Sequence, residues 1–216
     1  MPVSTLPDVL PTISATELIK AFPSPHDLGP GWTFNTDSLG SDDYFADYSQ
    51  IGIAHHCAAG NPDIPHVPGL SSPKSPLSIS GAFTAPPGGQ DITVEITVDT
   101  PARSADRMAL MRRAYATCGT LSFEKGGDPY TETYKLLPAP AVRADETLAV
   151  RWTARFTGAA GAGLGPAVDE AAYARAGGVV VTIYSPQDVT RMLPVVVAKV
   201  RRVLHVLPGT PRAEEP

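Results

Sequence analysis

The chain has 216 residues and a formal net charge of −5; 43% of its residues are hydrophobic and 18% charged, enough apolar material for one ordinary core. The acidic balance offers no attraction to a phosphate backbone or an anionic membrane surface, which argues against nucleic-acid binding and polybasic membrane attachment. No apolar run approaches the ~18–20 residues that span a bilayer, and 23 prolines, about twice the usual share, mark a loop-rich globular domain.

In chain order, residues 1–13 read as an extended arm, 14–206 as one domain and 207–216 as a polar tail. Ser14 and Glu17 have capping-box spacing ahead of Leu18, Ile19 and Phe22, which predicts a short helix over 15–22, ended by Pro23 and Pro25. The run His26-Asp27-Leu28-Gly29-Pro30-Gly31-Trp32 is a tight turn that delivers Trp32 and Phe34 onto a short strand. The acidic, aromatic stretch 41–50 reads as a second short helix carrying Tyr44 and Tyr48, four residues apart. Pro62, Pro65, Pro68, Pro73 and Pro76 forbid a helix over 58–76 and predict an irregular excursion.

From residue 77 the periodicity sharpens. Leu77, Ile79 and Phe83 alternate with Ser78, Ser80 and Thr84, and Ile92 to Val98 alternates with Thr93, Glu95 and Thr97. Two period-two runs joined by Pro86-Pro87-Gly88-Gly89-Gln90 predict an antiparallel pair. Ser104 is expected to cap a helix to about 118, with Met108, Met111, Tyr115 and Cys118 in one stripe and Arg107, Arg112 and Arg113 turned outward. Further strands are expected near 120–124, 131–137, 147–156 and 178–184, then a helix over 187–206 opened by Ser185-Pro186. Leu193, Val196, Val197, Val200 and Leu204 give that helix an apolar face, and Pro194 should kink it or mark a late start. Strands and helices do not alternate regularly, so the expected class is α+β, a mainly antiparallel central sheet with helices packed on one face.

Cys57 sits in a Pro/Gly-rich loop and Cys118 at a helix end, and these are the chain's two cysteines. Two buried thiols in a reducing compartment are one reading. A Cys57–Cys118 bridge is the favoured one, because it would anchor a loop poor in apolar residues. Closing so long a loop contributes roughly 4 kcal/mol in the chain-entropy model. A bridge in turn implies an oxidising, extracytoplasmic location. Met1-Pro2-Val3-Ser4 lacks a basic n-region and an apolar h-region, so an exported form is expected to have lost its signal, as a mature lipoprotein has.

The order of N-terminal helix, LGPGWT at 28–33, a loop cysteine, a strand pair and a helix RMALMRRAYATC ending in cysteine resembles the PknH-like extracellular domain family. The closing helix VTRMLPVVVAKVRRVL fits the same layout, and the resemblance spans about 14–206. That family includes the periplasmic sensor domain of a mycobacterial serine/threonine kinase and many mycobacterial lipoproteins. The resemblance implies an α+β domain with a central sheet and a cleft for an unidentified ligand. The resemblance implies two disulfides, as in the kinase's sensor domain, whereas this chain has cysteines for one, so part of the loop framework should differ.

His55, His56, Cys57 and His66 are potential zinc ligands by type, but adjacent histidines chelate one ion poorly and their spacing fits no zinc pattern, so no metal site is assigned. The run Gly158, Gly161, Gly163, Gly165 is followed by Pro166 and a strand, without the Lys and Ser/Thr of a phosphate loop, and no cofactor is assigned. No G-x-S-x-G elbow places a nucleophile, which argues against an enzyme. The feature that remains is the sheet's polar face. Glu95, Thr97, Thr133, Lys135, Arg151, Thr153 and Arg155 are expected to share it, with Trp152 and Phe156 pointing inward.

Such a face suits an anionic or polyhydroxylated ligand, arginine supplying forked donors. It is equally what a solvated face looks like, where cross-strand pairs such as Glu95 with Lys135 or Arg151 are worth only ~0.2–1 kcal/mol. On that view Arg151→Ala and Arg155→Ala leave folding nearly unchanged. The candidate ligand residues are therefore Glu95, Lys135, Arg151 and Arg155, with Tyr44 and Tyr48 as an aromatic rim. The expected function is non-enzymatic binding, sensor-like and extracytoplasmic, of a small ligand or a cell-envelope protein. The alternatives are an envelope hydrolase and an envelope assembly protein.

Overall fold

The computed structural model describes residues 12–40, 77–125, 128–156, 165–186 and 189–206. The elements run α1 (Ala15–Ala21), α2 (Pro25–Leu28), β1 (Thr33–Gly40), β2 (Leu77–Thr84), β3 (Ile92–Val98), α3 (Pro101–Thr117), β4 (Thr120–Lys125), β5 (Asp128–Leu136), β6 (Glu146–Phe156), β7 (Ala167–Ala176), β8 (Val179–Ser185) and α4 (Val189–Leu204). The helix expected at 41–50 and the excursion at 58–76 lie outside the described residues. All eight strands form one antiparallel sheet in the order β1-β2-β3-β8-β7-β6-β5-β4. The α+β class and the antiparallel sheet are as the sequence indicates.

The topology follows from one crossover. Strands β1 to β3 and strands β4 to β8 each run as neighbours in sequence, and the two groups meet where β3 pairs with β8. Leaving β3, the chain must reach β4 at the far edge, five strand steps away. At ~4.8 Å per step that is about 24 Å, and the 17 residues of α3 rise about 25 Å at ~1.5 Å each. One helix laid beneath β5, β6, β7 and β8 closes the gap.

That crossover puts α3 on one face, while α1, α2 and α4 pack on the other. Val94, Ile96, Ala149, Ala172, Val181 and Ile183 join the core under α1, α2 and α4. Their chain neighbours Leu148, Val150, Ala171, Tyr173 and Val180 join the core against Met108, Met111, Ala114 and Tyr115 of α3. The helices are therefore divided between the two faces, which corrects the expected one-sided packing. The physical sign is the continuous apolar run Val179-Val180-Val181, since only a strand covered on both faces avoids alternation.

Local signals hold where they are short-range. Ser14 and Glu17 form the expected capping box, Ser14 N donating to Glu17 Oε2 at 2.8 Å and Glu17 N to Ser14 Oγ at 3.2 Å. Helix α3 starts earlier than expected: Thr100 is its N-cap, with Pro101 at the first turn. Ser104 is instead buried, its hydroxyl donating to the Gly178 carbonyl at 3.2 Å. Arg107, expected outside, is buried at 4% exposure. Helix α4 runs through Pro194. Phe22, Phe34 and Phe83 cluster over Gly81, where an added Cβ would stand 2.8 Å from the Phe34 ring, so β2 needs glycine there.

Candidate functional site

Strand register divides the expected polar face in two. Glu95 opposes Ser80 and Thr182, and Thr97 opposes Ser78 and Val180, which places them on the α3 side. Lys135 opposes Arg151 and Arg151 opposes Glu170, on the α4 side with Ala149 and Ala172. Strands β8 and β7 also separate β3 from β6. The expected pairing of Glu95 with Lys135 or Arg151 is therefore corrected: these residues lie on opposite faces. Trp152 points inward as expected, against the α3 core.

Thr133, Lys135, Arg151, Thr153 and Arg155 do share one face. Helix α4 packs on β7 and β8, and Lys135, Arg151 and Arg155 remain exposed beyond it. Arg151 Nε donates to Glu170 Oε1 at 2.8 Å; the Arg151 side chain is 49% exposed and that of Glu170 5%. Like charges directly opposite one another repel, and Glu170 offsets this for Lys135 beside Arg151. Tyr44 and Tyr48 lie outside the described residues.

On the α3 side, Glu95 is 1% exposed among Ser78, Ser80, Thr97 and Thr182, all buried. Thr97 Oγ1 donates to Glu95 Oε1 at 3.1 Å, and Oε2 has no hydrogen-bond partner among the described residues. Burial holds the Glu95 carboxyl above its ordinary value, against the smaller opposing pull of Thr97 and the Arg107 charge. Arg107 lies 3.9 Å from Asp99, which also faces Arg103 at 3.6 Å and accepts from Thr100 N at 2.7 Å. The serines beside Glu95 read as solvent-facing in sequence because alternation alone assumes that a sheet has one dry side. Within the α3 core, burial pushes the Tyr115 phenol up to about 12; its hydrogen bond with Tyr173 opposes the rise and the Glu132 charge adds to it.

Two clefts open on the α4 side. One, of about 490 Å³, lies between the turn bearing Trp32, the β2–β3 loop and the first turns of α4. The other, about 410 Å³ and mostly apolar, runs between α1 and α2 past Phe22, Phe34 and Ile79. Among the described residues no three His, Cys, Asp or Glu side chains stand together as a metal site. His55, His56, His66 and Gly158 to Gly163 fall outside those residues. So does Cys57, and with it the expected bridge; Cys118 itself is buried at the end of α3 and is not a free thiol. No helix among the described residues is long and apolar enough to cross a membrane.

No family model and no curated protein matches the sequence. Solved structures do match the fold. An Rv0999 ortholog from Mycobacterium smegmatis aligns over 82% of this chain and 92% of its own at 11% identity, with a TM-score of 0.46. The extracellular domain of PknH from Mycobacterium tuberculosis aligns over 88% of this chain and 96% of its own at 12% identity, with a TM-score of 0.52. Over 88% of its length, this chain has the fold of the PknH extracellular domain.

Proposed function

We propose that the chain is a non-catalytic, sensor-like recognition module that works outside the cytoplasmic membrane and binds an anionic or polyhydroxylated partner on its open sheet face. The observation that carries this reading is the grouping of Lys135, Arg151 and Arg155 with Thr133 and Thr153 on one exposed face of a chain whose net charge is −5. Clustered cations on an acidic protein make a local positive potential, which attracts and orients a negatively charged partner. The fold shared with an extracellular domain supports the location.

The Cys57–Cys118 bridge belongs to the same proposal. Non-reduced peptide mass spectrometry should find the two cysteines in one cross-linked species, and two free thiols would remove the bridge. For the face itself, immobilised dextran sulfate is expected to bind the protein, neutral dextran to bind less, and rising salt to weaken the binding. A Lys135→Ala/Arg155→Ala double variant should bind at least fivefold more weakly. Equal binding by the double variant would discard the face as the recognition surface.

A further inference from the structure

The 490 Å³ cleft beside Trp32 is separate from the exposed basic face and has its own chemistry. Its walls are Leu28 at the end of α2, Trp32 from the turn before β1, Gln90 from the β2–β3 loop, Ser185 at the end of β8, and Arg191 and Met192 on the first turns of α4. The volume falls within the ~300–1,000 Å³ of small-ligand sites. Its lining combines apolar and polar groups: an indole and a thioether for a flat ring, a guanidinium and an amide for an oxyanion. Arg191 is exposed and lines the cleft.

The cleft is built rather than incidental. Gly31 has φ +84°, and a Cβ there would stand 2.8 Å from Pro86 Cβ, so the Trp32 turn and the β2–β3 loop meet with no room for a methyl group. Gly89 is held as closely, a Cβ there reaching 2.7 Å from Ala85 Cβ. Two walls from distant parts of the sequence are thereby locked together, and a preformed site loses little entropy on binding.

We infer that this cleft binds a small amphipathic anion, a planar ring lying against Trp32 and Met192 and a carboxylate, sulfonate or phosphate meeting Arg191 and Gln90. The turn that sequence alone reads as a structural fixture for Trp32 thus has a second role, presenting one wall of a binding site.

The test uses 8-anilinonaphthalene-1-sulfonate and its uncharged ring analogue N-phenyl-1-naphthylamine on the intact, natively folded protein. Saturable binding of the sulfonate at one site is expected, at least tenfold weaker in Arg191→Glu and in Trp32→Leu, with the uncharged analogue weaker than the sulfonate on the wild type. Arg191 is exposed, so its variant should unfold at the wild-type temperature; should Trp32→Leu fold poorly, energy transfer from Trp32 in a Trp152→Phe background reports the same contact, because the chain has 2 tryptophans. Lys135→Ala/Arg155→Ala should leave this binding unchanged, which separates the cleft from the open face. Non-saturable binding, undiminished affinity in Arg191→Glu, or equal affinity for the two dyes would each overturn the inference.

Discussion

Arg151 and Arg155 lie on one face of β6, yet they hold different things. Arg155 is exposed, and its removal should cost less than about 0.5 kcal/mol, the range of surface substitutions. Arg151 is the partner of Glu170, whose side chain is almost wholly buried. Truncating it leaves a buried carboxylate without its donor, at a cost of about 1–3 kcal/mol. Urea denaturation of Arg151→Ala and Arg155→Ala should therefore separate by at least about 1 kcal/mol. Matched midpoints would mean that Glu170 is solvated after all. Sequence shows both as exposed arginines; the difference is made by a strand neighbour nineteen positions away.

Glu95 sets a second test at this scale. Its folded-state value is raised above 4.5, so the folded protein holds the proton more tightly than the unfolded chain does. The contribution to stability is thus fully present below about 4.5 and is lost as pH rises through the folded value. Glu95→Gln keeps the shape and the Thr97 contact without the titration. The variant's Tm minus that of the wild type should grow from pH 4.5 to pH 8. A difference that stays flat would show Glu95 to be ionised throughout, compensated by Arg107.

The elements themselves were largely legible, for reasons that are local. The Ser14–Glu17 box, the two runs of β2 and β3 and the apolar stripe of α4 are all set by residues within a turn or a pleat of one another. Strand β7 was legible only as an unplaced strand after the glycine run, because AVDEAAYARA favours a helix by composition and is held extended by pairing with β6 and β8. Helix α2 overlaps the stretch from His26 that sequence alone reads as a turn, and its stability rests on a contact distant in sequence. Ser24 N donates to Asp27 Oδ2 at 2.7 Å, and the same oxygen accepts from Lys199 Nζ at 2.6 Å, tying α2 to α4. Burial raises the Asp27 value, but Lys199 and Ser24 outweigh it and bring it down from 3.8 to about 2. Its contribution is therefore present above about 3.8 and is lost as pH falls towards 2. Asp27→Ala should lower stability by about 1 kcal/mol at neutral pH, with the deficit shrinking as the solution is acidified from pH 4 to pH 2. A deficit constant over that range would assign the loss to packing rather than to the ion pair.

What sequence could not convey at the scale of the whole molecule is the seam. Val98 pairs with Val179 and Ile96 with Val181, joining two groups of strands that are each consecutive in the chain. Without that pairing, residues 12–98 and 120–185 would look like two small sheets, and the polar residues of β2 and β3 would seem to face water. With it, α3 must pass under one face, and Glu95 is enclosed. A sheet whose central ladder joins strands far apart in sequence has a high contact order and should fold slowly for its size. It should also unfold as one unit, since neither half keeps a covered second face alone. Ile96 is fully buried on the α4 side of this ladder. Ile96→Ala should cost about 2–5 kcal/mol and lower a single unfolding transition without splitting it. Amide hydrogens of β2 and of β6, on either side of the seam, should then exchange with the same reduced free energy of opening. If β2 alone loses protection while β6 keeps that of the wild type, the two strand groups are separable domains and the seam is only a contact between them.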